Sequence, residues 1–193
     1  MKLEIRELWE ELKFDLGGMK MPKLDGVKDR KLLLGGGNTK GEILFIGDDP
    51  DLFEDENMRV LPGTSGEFFI KLCDLADLSP EKYYITNISK CILRWRELSE
   101  EEKEVMREYL DMQIALIKPK IIVALGPEVV TVLLNEESNI SDVRGKVYNW
   151  EGNIKVIPTY DPGYVKRMRG LDGKKARPAV EFWNDLKMIK TEL

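Results

Sequence analysis

The chain has 193 residues, 42% of them hydrophobic and 34% charged, with a net charge of −5, which is enough apolar content for one compact domain over 1–193. It contains no histidine, which excludes a Ser-His-Asp triad, a His-ligated zinc and a His-held haem, so acid–base work falls to carboxylates, Lys, Tyr or water. Cys73 and Cys91 are too few for a four-cysteine metal site or a disulfide-stapled fold, and neither a membrane-length apolar stretch nor a signal-peptide run occurs, so a soluble, non-exported chain is expected.

Residues 2–16 set Ile5, Leu8, Trp9, Leu12 and Leu16 on one stripe, which predicts an amphipathic helix stopped at Gly17–Gly18. Residues 17–40 read as a long loop around one apolar run, Leu32–Leu33–Leu34, and end in Gly35–Gly36–Gly37–Asn38. That glycine run precedes a strand and lacks a following Gly-Lys-Ser/Thr, so it reads as a flexible loop and not as a phosphate cradle. Short β-branched or aromatic runs at 43–46, 83–86, 121–125 and 154–158 predict four strands. Helical patterns at 66–76, 99–117 (Ser cap, acidic first turn), 128–134 and 179–192 alternate with them. Near-continuous apolar strands joined by crossover helices predict an α/β fold, a three-layer α/β/α arrangement with a central four-stranded parallel sheet.

In open α/β sheets ligands bind beyond the carboxyl ends of the strands. The residues there are Gly47–Asp48–Asp49–Pro50–Asp51, Asn87–Ile88–Ser89–Lys90, Gly126–Pro127 and Thr159–Tyr160–Asp161–Pro162–Gly163. Converging carboxylates with one amide suit hydrolysis of a glycosidic bond through a cationic sugar. The amide suits the edge of a pyrimidine turned out of the base stack. One motif at a time, Asp-Pro and Asp-Pro-Gly are also ordinary turn text that bonds local backbone. After the fourth strand, Lys166, Arg167, Arg169, Lys174, Lys175 and Arg177 form a basic segment interrupted by Gly170 and Gly173. It reads either as a solvated loop or, beside the site, as a mobile grip on a phosphate backbone.

These motifs together resemble the uracil-DNA glycosylase superfamily, above all family four, the thermostable class usually built around an iron–sulfur cluster. The likeness is carried by GGGNTKGEILFIGDDP at 35–50, Pro62–Gly63–Thr64–Ser65–Gly66, YYITNISKC at 83–91, KPKIIVALGPEVVTVLL at 118–134 and RGKVYNWEGNIKVIPTYDPGYVKR at 144–167. It implies a repair enzyme that flips a damaged pyrimidine, uracil or an oxidised derivative such as 5-hydroxyuracil, out of DNA and hydrolyses its N-glycosidic bond. Other readings of the same residues are a non-catalytic binder of damaged or single-stranded DNA and a hydrolase of free nucleosides. The resemblance puts Asp48, Asp49 and Asp161 at catalytic positions, Asn87 and Leu61 at the base, and Lys166, Arg167, Arg169 and Tyr164 at the DNA.

Three departures modify what the resemblance implies. Of the family's four cluster cysteines only Cys91 is present, with Met106 at another of the positions and the N-terminal pair replaced within 14–21, so no cofactor and no metal are expected. Leu61 stands where the family has an aromatic that stacks on uracil, which widens the pocket. Asp161 stands where the family has a His that bonds the departing base; a protonated Asp could donate there, whereas an ionised one would serve the water or the sugar cation. Tyr164, Val165 and Met168 are expected either to fill the gap left by an extruded nucleotide or to cap the core. Lys90 is expected to be structural or phosphate-binding and not a Schiff-base nucleophile. The implied partner is DNA carrying a damaged base, with no membrane, for a monomer in the nucleoid.

Overall fold

Four five-residue segments, Ile43–Gly47, Tyr83–Asn87, Ile121–Leu125 and Lys155–Thr159, form the centre of the sheet, as their runs of branched and aromatic residues predict. The computed structural model describes residues 2–18, 34–135 and 137–193. In chain order the strands are β1 (Gly36–Gly37), β2 (Ile43–Gly47), β3 (Tyr83–Asn87), β4 (Ile121–Leu125), β5 (Tyr148–Asn149) and β6 (Lys155–Thr159). The helices are α1 (Lys2–Gly18), α2 (Ser65–Leu75), α3 (Glu100–Ile117), α4 (Pro127–Leu134), α5 (Ile140–Val143), α6 (Pro162–Asp172) and α7 (Arg177–Thr191).

The sheet order is β1-β3-β2-β4-β6-β5, with β3, β2, β4 and β6 parallel and both edge strands antiparallel. The expected four-stranded parallel core is present, but the sheet has six strands. The glycine run expected as a flexible loop supplies β1, paired as Gly36 to Ile85 and Gly37 to Tyr84, with the Gly37 N–H also donating to the Glu56 carbonyl at 3.2 Å. Glycine carries no strand propensity of its own; the exposed ladder of β3 imposes the pairing. The rest of the expected loop over 17–40, including Leu32 and Leu33, lies largely outside the described residues.

Alternation along the strands sorts the side chains into two cores. Ile43, Phe45, Ile85, Val123 and Ile157 face α2, α6 and α7 through Phe69, Cys73, Val165, Phe182, Leu186 and Ile189. Leu44, Ile46, Ile122, Ala124 and Val156 face α1, α3 and α4 through Trp9, Leu12, Leu110, Ile114 and Val129. Each fully buried Leu, Ile or Phe contributes roughly 1.5–3 kcal/mol, so both faces anchor the strand ends firmly. Ser99 caps α3 with a reciprocal Glu102 bond, as its sequence predicts. Among the described residues no helix is long and apolar enough to cross a membrane.

Candidate active site

The carboxyl ends of β2, β3, β4 and β6 gather Asp48, Asp49, Asn87, Gly126 and Asp161 at one end of the sheet. Beside them opens a cavity of about 660 Å³ lined by Asp48, Arg94, Glu128, Tyr160, Asp161 and Arg167 among others, whereas Asp49 and Asn87 are buried behind its wall and do not line it. That volume accommodates a nucleotide-sized ligand.

Asp48 is held through one oxygen, Oδ1, which accepts the Trp95 N–H at 2.8 Å. Burial pushes its carboxyl up to about 7, against the opposing pull of the Trp95 N–H and Arg94, with Glu128 and Asp161 adding to the rise. Asp49 is deeper: Oδ2 accepts from Ser65 Oγ at 2.6 Å, while Oδ1 accepts from the Asp51 N–H at 3.1 Å and from Arg94 Nη2 at 3.2 Å. Asn87 is buried beside it, its Nδ2 donating to the Asp49 carbonyl at 2.9 Å and its Oδ1 accepting the Asp49 N–H at 3.3 Å. The amide expected at a base edge therefore clamps the Asp49 peptide, which offers the same donor–acceptor pair. One N–H and one lone pair of that amide remain beyond these two bonds.

Asp161 caps α6, its Oδ1 accepting the Tyr164 N–H at 2.7 Å. Burial raises its pKa above the ordinary carboxylate value, and Asp49 raises it further, while the capped N–H, Arg94 and Arg167 oppose the rise. Gly163 lets the chain pass over this cluster, since a Cβ there would stand 3.1 Å from both Asp161 Oδ1 and Asp49 Oδ2. Three carboxylates on two strand ends thus converge as the sequence pattern implies.

Arg94 was not apparent from the sequence. Its guanidinium bridges the Asp48 carbonyl, at 2.9 Å from Nη1, and Asp49 Oδ1, so it ties the two carboxylate positions together. Its neighbour Trp95 opens the 3-10 turn Trp95–Glu97, which presents the N–H that Asp48 accepts. The only sequence signal is position, three residues past Cys91 on the chain leaving β3.

The basic segment is not the mobile loop expected. Residues 162–172 form α6, because the Asp161 cap and Pro162 at the first helical position start a helix directly after β6. Lys166 Nζ donates to the Gly63 carbonyl, Arg169 lies over the Phe68 ring at 5.7 Å, and Arg177 pairs with Glu181 at 2.9 Å. Arg167 lines the cavity. Val165 is fully buried in the core and is no candidate for the extrusion gap. Tyr164 lines the cavity with its ring 5.6 Å from that of Tyr160. Leu61 is 49% exposed and does not line this cavity.

Behind Asp161, Tyr160 donates to Glu181 at 2.7 Å, and Arg144 and Thr159 both hold the buried Asp185 carboxylate. This network fixes the end of β6 to α7.

Near Cys91 the residues do not fit a four-thiolate cluster. The Cys91 Sγ lies 3.3 Å from Ser89 Oγ, Met106 Sδ accepts the Lys90 N–H at 3.2 Å, and Leu93, Trp95 and Leu98 pack around them. Cys73 lies in the other core. Among the described residues no group of three or more His, Cys, Asp or Glu could hold a metal ion. Lys90 is fully buried with Nζ donating to Thr86 Oγ1 at 2.8 Å and to the Asn87 carbonyl, and burial without a carboxylate partner drives its pKa well below the ordinary lysine value.

A sheet with a parallel four-stranded centre and acidic groups gathered at its carboxyl ends defines an α/β protein with a carboxylate cluster where such folds bind ligands. The uracil DNA glycosylase superfamily matches this chain over residues 34–187. The chain is 34% identical over 169 residues to a type-4 uracil-DNA glycosylase of Archaeoglobus fulgidus, covering 83% of this chain and 80% of the relative. It is 34% identical over 140 residues to one of Thermotoga maritima, covering 72% and 73%, and 36% identical over 137 residues to one of Sulfurisphaera tokodaii, covering 66% and 62%. The chain belongs to the uracil DNA glycosylase superfamily, and its enzyme class is DNA glycosylase.

Proposed function

We propose that the protein excises uracil from DNA by hydrolysis, with Asp48 as the group that orients and deprotonates the attacking water. One observation carries this reading: Asp48, with one oxygen bonded and its pKa pushed up to about 7, lines the cavity together with Asp161. A base is most effective when its pKa lies near the working pH. Asp49, held by three donors, contributes fixed negative charge beneath the cationic sugar, and Asn87 holds the Asp49 peptide while offering its remaining N–H and lone pair to the base edge. Asp161, beside Asp49, serves the sugar cation, and Arg94 and Arg167 supply the positive charge that meets the departing base in a histidine-free site.

The balance is simple. Water adds its oxygen to C1′, the C1′–N bond breaks, one proton of the water passes to Asp48, and the base leaves as an anion that takes its proton from solvent. Lys90 forms no adduct, since it is enclosed among Thr86, Asn87 and Met106. Reaching a base inside a duplex requires the nucleotide to turn out of the stack into the cavity. The cavity volume leaves room for a 5-hydroxyl group, so 5-hydroxyuracil is a second substrate. Arg167 contacts the backbone phosphate, with Lys166, Arg169 and Tyr164 on the same helix framing that path.

The test is incubation with oligonucleotides carrying uracil, 5-hydroxyuracil, hypoxanthine or a thymine mismatch, followed by alkali. Alkali-labile product at uracil supports the reading. DNA binding with no product on any base overturns it in favour of a non-catalytic binder of damaged DNA.

A further inference from the structure

A side-chain amide aims only as well as the backbone that carries it, and the peptide following Asn87 is held from both sides. The Ile88 N–H donates to the carbonyl of Gly47, the last residue of β2, at 2.8 Å. The Asn87 carbonyl, on the other side of the same peptide, accepts from Lys90 Nζ. Lys90 reaches it by folding back along the turn that leaves β3, where Nζ also donates to Thr86 Oγ1 at 2.8 Å. Both ends of this brace are themselves anchored. The Lys90 N–H donates to Met106 Sδ of α3 at 3.2 Å. Thr86 Oγ1 donates to the Leu34 carbonyl at 2.8 Å, and Gln113 Nε2 of α3 donates to that same carbonyl at 2.7 Å. Thr86, Lys90 and Gln113 are all fully buried.

An amine is an expensive group to place there. Taking one into the core without a carboxylate costs free energy that an apolar side chain of the same length avoids, and burial pushes its pKa down. A neutral amine has two N–H groups, and its two acceptors, Thr86 Oγ1 and the Asn87 carbonyl, use both. Lys90 lies behind the cavity wall, without contact to solvent, so it serves neither as a nucleophile nor as a phosphate contact. Its route to the chemistry runs through Asn87, whose amide grips the Asp49 peptide at 2.9 and 3.3 Å.

We propose that Lys90 is a positioning residue for base recognition: by holding the Asn87 carbonyl it sets the direction in which the Asn87 side-chain amide meets the Asp49 peptide and the base edge. This rests on the glycosylase reading above and adds to it a residue that never touches DNA. A group that acts through Asn87 has nothing left to do once that amide is gone, so its signature is non-additivity.

The experiment is a double-mutant cycle of Lys90→Met and Asn87→Ala, read as single-turnover uracil excision from a single-stranded oligonucleotide, with Lys90→Leu as a second apolar replacement. Lys90→Met alone slows excision about tenfold, the loss expected of a misaimed hydrogen bond. On the Asn87→Ala background the same change alters the rate by no more than about twofold. Equal slowing on both backgrounds, as for a lysine that only supports the fold, overturns the proposal. An unchanged rate in Lys90→Met and Lys90→Leu overturns it too. If wild type excises nothing, the glycosylase reading fails, and the role is read from affinity for a uracil-bearing strand over the same strand bearing thymine. A preference lost alike in Lys90→Met and Asn87→Ala supports the positioning role. A preference kept in Lys90→Met, or absent from wild type, overturns it.

Discussion

With its carboxyl pushed up to about 7, Asp48 is ionised in about a tenth of molecules at pH 6, half at pH 7 and nine-tenths at pH 8. If it removes a proton from water, kcat/KM for uracil excision rises about tenfold per pH unit below pH 7 and levels above it. Neighbours move this midpoint in opposite senses. Glu128→Gln removes a repelling charge and lowers it by about half a unit, whereas Arg94→Gln removes an attracting one and raises it similarly. Asp48→Asn keeps an oxygen for the Trp95 N–H and lowers the rate by roughly 10²–10⁴. Single-turnover excision from a single-stranded uracil oligonucleotide, with abasic product cleaved by alkali across pH 5–9, reads all four. A flat profile, or a midpoint at the ordinary carboxylate value, refutes Asp48 as the base.

The same carboxyl has a stability consequence. Its folded pKa exceeds the unfolded value of about 3.9, so ionising it in the fold is penalised by at most about 4 kcal/mol, absent below pH 4 and complete above pH 7. Asp48→Asn therefore melts higher than wild type at pH 8, and the gap closes at pH 4 in thermal denaturation. Lys90 behaves in the mirrored way: with its folded pKa well below 10.4, the unfolded chain binds the extra proton, so stability climbs toward pH 10, by up to about 1.4 kcal/mol per unit. That slope flattens in Lys90→Met, as urea midpoints at several pH values will register. Arg144→Ala leaves the Asp185 carboxylate buried without its guanidinium and lowers stability by about 3 kcal/mol, measured by urea denaturation.

The strands were legible because parallel sheet buries both faces of each strand, so Ile43–Ile46 and Ile121–Leu125 read as unbroken apolar runs. The carboxylates were legible because β2 ends directly before Asp48 and β6 ends two residues before Asp161. What escaped was set by tertiary neighbours. Gly36–Gly37 is a strand only because the β3 edge is open to it, and residues 162–172 are helical because Asp161 and Pro162 start the turn despite the glycines and charges that follow. Asn87 ends β3 as the strand pattern predicts, yet its amide bonds to the Asp49 peptide, which no spacing rule foretells. Arg94 carries no motif; only the folded path brings its guanidinium back to both aspartates.

The central claim is that water, steered by Asp48, replaces the base at C1′ and leaves the strand intact. Mass spectrometry of a single-stranded uracil oligonucleotide incubated with the protein in ¹⁸O-labelled water tests it most directly. The account predicts loss of the base, gain of one labelled oxygen on the sugar, an unbroken backbone, and no change with Asp48→Asn. An unaltered oligonucleotide, or a strand cut without alkali, would contradict it.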